Sequence, residues 1–321
     1  MAQNVISLKS KRAGSIKEIQ GKTLSKQLYD NRFLLLLFLP CFLYYVIFKY
    51  VPMWGLLISF KDFKAFLGFS ASHWVGLKHY YAFFSSPDAF VLIKNTLQLG
   101  LYSLIWGFPA PIIFALVLNE VRNMKLKKFV QTVSYMPHFL SVVVVSGMLI
   151  SFLSPIRGIV NTMIEAMGGE AVNFLSNASY FRTIYVASDI WQQLGWGAII
   201  YLAALSGIDP QLYEAAEIDG ANKYKQLINI TLPSIAPTII IMLLLRTGSV
   251  LDVGFEKVML LYNPAIYDTA DVISTYVYRQ GIVSGNMSYA AAIGLFNSVI
   301  NLCLLVSSNL ISKRLTETSL W

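Results

Sequence analysis

Trp191, Gln192, Gln193 and Trp196 fall within two helical turns and combine flat aromatic faces with amides that both donate and accept hydrogen bonds. Gln192 and Trp196 are four residues apart and share a helix face. The set suits noncovalent contact with a ligand, and it also reads as helix packing beside a membrane-interface aromatic belt. Asn297 and Asn301 repeat the four-residue spacing further on, where hydrogen bonds between helices are the natural use. Arg246 and Asp252 are ionisable residues in an apolar run; such groups normally face protein or water and find a partner. A salt bridge or polar network is the default reading for both.

Bond chemistry has no comparable support. His73, His79 and His138 are scattered without metal-ligand spacing. The Ser, Asp and Glu residues form no nucleophile or paired-acid constellation. Cys41 and Cys303 both sit in apolar runs, so neither a disulfide nor a zinc site is implied. Gly21-Lys22-Thr23 ends like a phosphate loop, but Ile16 stands where that loop needs its first glycine. No catalytic residue, metal or ATP site is expected in this chain.

A dense run of local signals lies at about 209–233. Asp209 can cap a helix, Pro210 suits its first position, and Glu214 and Glu217 place negative charge near its start. Gly220 supplies a left-handed exit, and a second short helix is expected to reach about Leu232, with Pro233 opening the next long one. Two short helices joined at a glycine make an elbow. Ala215 and Ala216 keep one flank thin, so a partner surface could approach the backbone while Leu212 or Tyr213 fills a pocket. A hairpin lying on the membrane surface is the alternative, and composition alone favours it.

The elements that must position these residues follow from composition. Of 321 residues, 56% are hydrophobic and only 13% charged, with a mean hydropathy of +0.58, so lipid must be part of the solvent. The net charge of +8 comes from basic residues beside apolar runs, not from a basic stripe, which argues against nucleic acid. Six runs have spanning length, near 33–58, 93–118, 129–153, 184–208, 234–254 and 289–311. Lys49, Asp189, Arg246 and Asp252 lie inside them. Fifteen Lys and Arg flank one side, seven of them in the arm 1–32, against eight at most on the other, so both termini are expected to be cytosolic. No cleavage pattern marks the arm as a signal peptide, and residues 33–321 are expected to form one membrane domain. Pro109, Pro111 and Pro137 interrupt helices, as bends lining a cavity or as ordinary kinks.

Glu214-Ala215-Ala216, Asp219-Gly220-Ala221 and Leu232-Pro233 with Pro237 resemble, in order and spacing, the EAA loop of binding-protein-dependent ABC importer permeases. Further likeness lies in Tyr50-Val51-Pro52-Met53-Trp54-Gly55, Phe60-Lys61-Asp62-Phe63, Trp74-Val75-Gly76-Leu77 and the run from Asp271 to Arg279. Over most of residues 30–321 the chain is similar to permeases of oligosaccharide importers, nearest those serving degraded plant or algal polysaccharides.

The resemblance implies an all-α integral membrane protein of six transmembrane helices with the type I ABC importer permease fold. In that family the loop forms coupling helices that sit in a cleft of the ATPase. Glu214, Ala215, Ala216, Asp219, Gly220, Ala221, Leu232 and Pro233 would then transmit motion. The implied partners are a second, similar permease, two ATPase subunits that bind the ATP and Mg, and an external sugar-binding protein, all in a bacterial cell membrane. Trp191, Gln192, Gln193, Trp196, Arg246, Asn297 and Asn301 become candidates for the oligosaccharide pathway, since sugars need flat faces for stacking and amides for hydroxyls. On charge and depth alone, and not from the resemblance, Arg246 with Lys49 would help attract uronate-containing oligosaccharides. Two rivals stand beside this reading. An ion-coupled secondary sugar transporter could use Arg246, Asp252 and Asp189, but it leaves the elbow unexplained and no inverted repeat is evident. A membrane enzyme or scaffold would need a clustered acid, base or metal set, or no transport at all.

Overall fold

The protein is described here by a computed structural model covering residues 29–316 and 318–321. The basic arm expected at 1–32 therefore lies outside the described residues up to position 28. Two units are distinguished, one ending at Leu57 and one running Ile58–Trp321. The first carries most of α1 (Arg32–Phe60), a helix apolar on all sides, as lipid exposure requires.

The second unit opens with a short antiparallel pair, β1 (Lys61–Asp62) and β2 (His73–Trp74). The Lys61 ammonium closes this turn by donating to the Phe69 carbonyl at 2.7 Å while lying 4.2 Å over the Phe69 ring. Then come α2 (Lys78–Phe84) and α3 (Asp88–Asn119). Pro109 has no N–H for the fourth carbonyl before it, and α3 widens into a π turn at Ser103–Gly107 just ahead of the proline.

The span expected over 129–153 is instead a broken pair, α4 (Met124–Phe139) and α5 (Val142–Phe152), bent by 98°. Pro137 tightens the end of α4 into a 3₁₀ turn, Leu140 is extended, and Ser141 restarts the chain by accepting from the Val144 amide at 3.3 Å. After α6 (Ile159–Ala166), α7 (Ala178–Ser206) runs through the middle of the unit for 29 residues, about 44 Å at the helical rise. It packs against α3, α4 and the later part of the chain. Eight of its nine buried residues, Phe181, Tyr185, Ser188, Gln192, Gly195, Ala198, Tyr201 and Leu205, recur every three or four positions as one helical stripe, with Val186 beside it. A Cβ at Gly195 would overlap the Ser134 carbonyl, so α4 and α7 approach at backbone contact.

Next come α8 (Pro210–Ile218), α9 (Lys223–Thr247), α10 (Phe255–Leu261), α11 (Ile273–Tyr278) and α12 (Met287–Thr316). The span expected at 234–254 thus starts earlier and stops at Thr247, so Asp252 lies beyond the helix in a turn. By length and composition α1, α3, α9 and α12 can cross a membrane, and α4 with α5 makes a fifth if the bent pair is one span. The segment expected as the fourth span is α7, which carries Arg182 and Asp189 along its length.

Candidate functional site

Where α3, α7 and α9 converge they enclose a cavity of about 470 Å³. Gly100, Ser103 and Pro111 line it from α3, and Met242, Arg246 and Ser249 from α9 and the turn after it. From α7 come Tyr185, Asp189, Gln193, Gly197 and Tyr201, one residue in every four. That stripe was readable in the sequence as polar or small residues at helical spacing, but it was hidden by the neighbouring Trp and Gln residues.

Of the expected pathway residues, Gln193 and Arg246 line this cavity and the others do not. Gln192 is buried and donates to the Leu140 carbonyl at 2.9 Å. That carbonyl is freed by the break between α4 and α5, so Gln192 repairs a gap in the helix ladder. Trp196 stacks on His138 with ring centres 4.4 Å apart and planes nearly parallel, and His138 Nδ1 lies 2.9 Å from Gln193 Oε1. Trp191 faces a separate apolar groove with Leu149, Leu153 and Ile184. Asn301 donates to Asp252 at 3.0 Å and accepts from the Leu251 amide at 3.2 Å, tying α12 to the turn after α9. The buried Asn297 Oδ1 has no hydrogen-bond partner among the described residues.

The cavity's charges are unevenly matched. Among the described residues the Arg246 guanidinium forms no ion pair; of the expected salt bridge or polar network, Asp252 has the second, through Asn301. Asp189 is one-third exposed and has Lys257 Nζ 3.9 Å away. Lys257 is buried on α10, donates to the Tyr185 carbonyl at 3.2 Å and lies 4.9 Å from the Tyr185 ring centre. Burial pushes its ammonium down to about 8, against the pull of Asp189. The Tyr185 hydroxyl in turn accepts from the Gly254 amide at 3.0 Å, so α10 and α7 are joined at three points. Further on, Arg279 grips Asp271 through both guanidinium nitrogens at 3.1 and 2.6 Å, which raises its already high pKa.

The second candidate site is the elbow. Asp209 accepts from the Gln211 amide at 3.0 Å and caps α8. At the far end Gly220 has φ of 74°, with the Gly220 amide on the Glu217 carbonyl and the Ala221 amide on the Ala216 carbonyl at 3.1 and 2.8 Å. Asn222 then caps α9 through the Lys225 amide at 2.9 Å. The second arm does not end at Leu232: α9 continues through Pro233, absorbing the proline with a π turn at Leu227–Thr231. Glu214, Ala215, Asp219 and Gly220 are exposed, as are Leu212 and Ile218, whereas Ala216 and Ala221 are half-buried. Tyr213 faces inward, its hydroxyl 2.9 Å from that of Thr231, and so braces the elbow instead of filling an external pocket.

Apolar helices long enough to cross a membrane, gathered around a cavity with charged residues in its lining and with a capped elbow on one connection, suit a transport protein, and the chain belongs to the family of binding-protein-dependent transport system inner membrane components, whose model matches residues 107–317. It is 44% identical over 305 residues, 95% of both chains, to the polygalacturonan/rhamnogalacturonan transport system permease protein YteP of Bacillus subtilis. Its fold is similar to a chain of a bacterial alginate ABC transporter crystallised with an alginate pentasaccharide-bound periplasmic protein: TM-score 0.87, 42% identity, covering 93% of this chain and all of that one. A chain of a bacterial ABC transporter involved in import of the acidic polysaccharide alginate aligns with a TM-score of 0.86 and 42% identity, over 92% of this chain and all of that one.

Proposed function

We propose that this permease forms half of the pathway through which an acidic oligosaccharide, delivered by an external binding protein, enters a bacterial cell at the expense of ATP. The observation that carries the reading is the cavity, in which Gln193 and Tyr201 offer hydrogen bonds while Arg246 stands without a carboxylate partner among the described residues. A guanidinium so placed suits a uronate carboxylate. The names of the relatives, which concern polygalacturonan and alginate, support the same class of cargo.

On this reading the chain crosses the membrane six times, with α4–α5 and α7 among the spans and both termini cytosolic. A second permease completes the pathway, and two ATPase subunits bind ATP and Mg. The elbow at 209–233 passes motion from the ATPases to α9, which is continuous from the elbow to Arg246 at the cavity wall. Exposed Ile218 and Leu212 supply an apolar surface for docking. The cavity then alternates between facing out and facing in, a two-state exchange biased by nucleotide.

Affinity purification of the tagged chain from gently solubilised membranes tests the assembly. An ATPase and a second permease should co-purify, and Gly220→Trp should abolish stimulation of ATP hydrolysis by loaded binding protein. Recovery of the chain alone, active in ATPase-free liposomes, would instead favour an ion-coupled carrier.

A further inference from the structure

Four charged side chains govern the field in the cavity. Arg246, Asp189 and Asp252 line it; Lys257 does not, being only 5% exposed behind Asp189. With Lys257 protonated, two positive groups face two negative ones. Without it, the lining presents two carboxylates against Arg246 alone. Asp252 receives only the neutral Asn301 amide, so nothing else cancels the second carboxylate. In a cavity walled by protein that single charge weighs more than it would in open water.

Lys257 also has no packing reason to be charged. Its ammonium is buried on the short α10 and held by Asp189, the Tyr185 carbonyl and the Tyr185 ring. An aliphatic side chain would fill the same space without a desolvation cost. A cation retained behind a cavity carboxylate is explained if that carboxylate must be screened from the cargo.

We propose that Lys257 is a positioning residue for charge selectivity: by neutralising Asp189 from behind, it allows an anionic oligosaccharide to occupy the cavity beside Arg246. This rests on the acidic-oligosaccharide reading given above.

The test uses the co-purified complex in proteoliposomes with its binding protein. Import of a galacturonate trimer and of its uncharged methyl ester is measured for each variant relative to wild type, which cancels the binding protein's own preference. Thermal midpoints of the complexes are recorded alongside. Lys257→Gln should lower import of the acid about tenfold and leave the ester within about twofold. Lys257→Arg should keep acid import, and adding Asp189→Asn to Lys257→Gln should restore it at an unchanged midpoint. If acid and ester fall together, or if Asp189→Asn gives no recovery, the proposal is overturned. A wild-type complex that imports the ester but not the acid overturns it as well. A wild-type complex that imports neither form would contradict the importer reading itself.

Discussion

The Tyr213 and Thr231 hydroxyls lie 2.9 Å apart and fasten α8 to the π turn of α9. Since Thr231 Oγ1 also lies 3.3 Å from the Gln226 carbonyl it donates to, a push on the elbow would, on the proposed mechanism, be handed to the helix that carries Arg246. Tyr213→Phe should remove about 0.5–1.5 kcal/mol and leave the chain folded. The expected result is ATP hydrolysis that continues while import per ATP drops several-fold. Measuring both on one preparation checks it, and unchanged stoichiometry would exclude the brace.

Gly220 is different, because its φ of 74° belongs to the left-handed region. A β-branched residue there costs roughly 1–2 kcal/mol of backbone strain, although a Cβ meets no atom within 4 Å. Gly220→Val should therefore weaken co-purification of the ATPase more than Gly220→Asn, which tolerates this conformation. Equal retention by the two would show that the elbow's shape is not what the partner reads.

Gln192 gives a sharp separation of packing from ligand contact. Gln192→Leu leaves the Leu140 carbonyl without its side-chain donor, at a cost of about 1–3 kcal/mol. The complex should melt several degrees lower, and import of acidic and neutral sugars should fall in equal proportion. A preferential loss of one sugar would return Gln192 to the pathway.

Arg246→Gln, which removes charge but keeps a polar side chain, should cut import of the acid about tenfold, equivalent to about 1.4 kcal/mol, and spare its neutral ester. Radiolabelled uptake with both forms decides it.

Lys257 titrates near 8, so it is largely protonated at pH 7 and neutral by pH 9. Because the protonated form screens Asp189, acid import should decline as the pH rises through that range. The titratable groups on α7 are Tyr180, Arg182, Tyr185, Asp189 and Tyr201, of which Tyr185 and Asp189 contact Lys257; those on α11 are Tyr276 and Tyr278, and α5 brings none to α10. Lys257→Arg should flatten the pH profile, since guanidinium stays charged throughout.

Much of this architecture could be read from residue order. Apolar runs placed α1, α3 and α12 within about five residues, whereas the run expected at 234–254 is α9 at 223–247, and Asp209, Pro210 and Gly220 marked the caps of α8 as they stand. Pro137 announced a break but not its size, because the 98° bend also needs Ser141 to restart the helix and Gln192, fifty-two residues away, to bond the freed carbonyl. Pro233 pointed to a helix start where α9 runs through, since a π turn accommodates the missing N–H. The cavity was half legible: Gln193 and Arg246 were identified by type and depth, whereas the tie from Lys257 to Asp189 joins positions sixty-eight apart and depends on the path of α10.

We propose that Arg246 and the elbow serve ATP-driven passage of an acidic oligosaccharide. It is tested most directly by uptake of a galacturonate oligomer into proteoliposomes holding the whole complex and its binding protein, with ATP or a non-hydrolysable analogue enclosed. Accumulation with ATP alone, unaffected by collapsing ion gradients and lost with Gly220→Trp, is the expected result. Accumulation that follows an imposed ion gradient without ATP would contradict it.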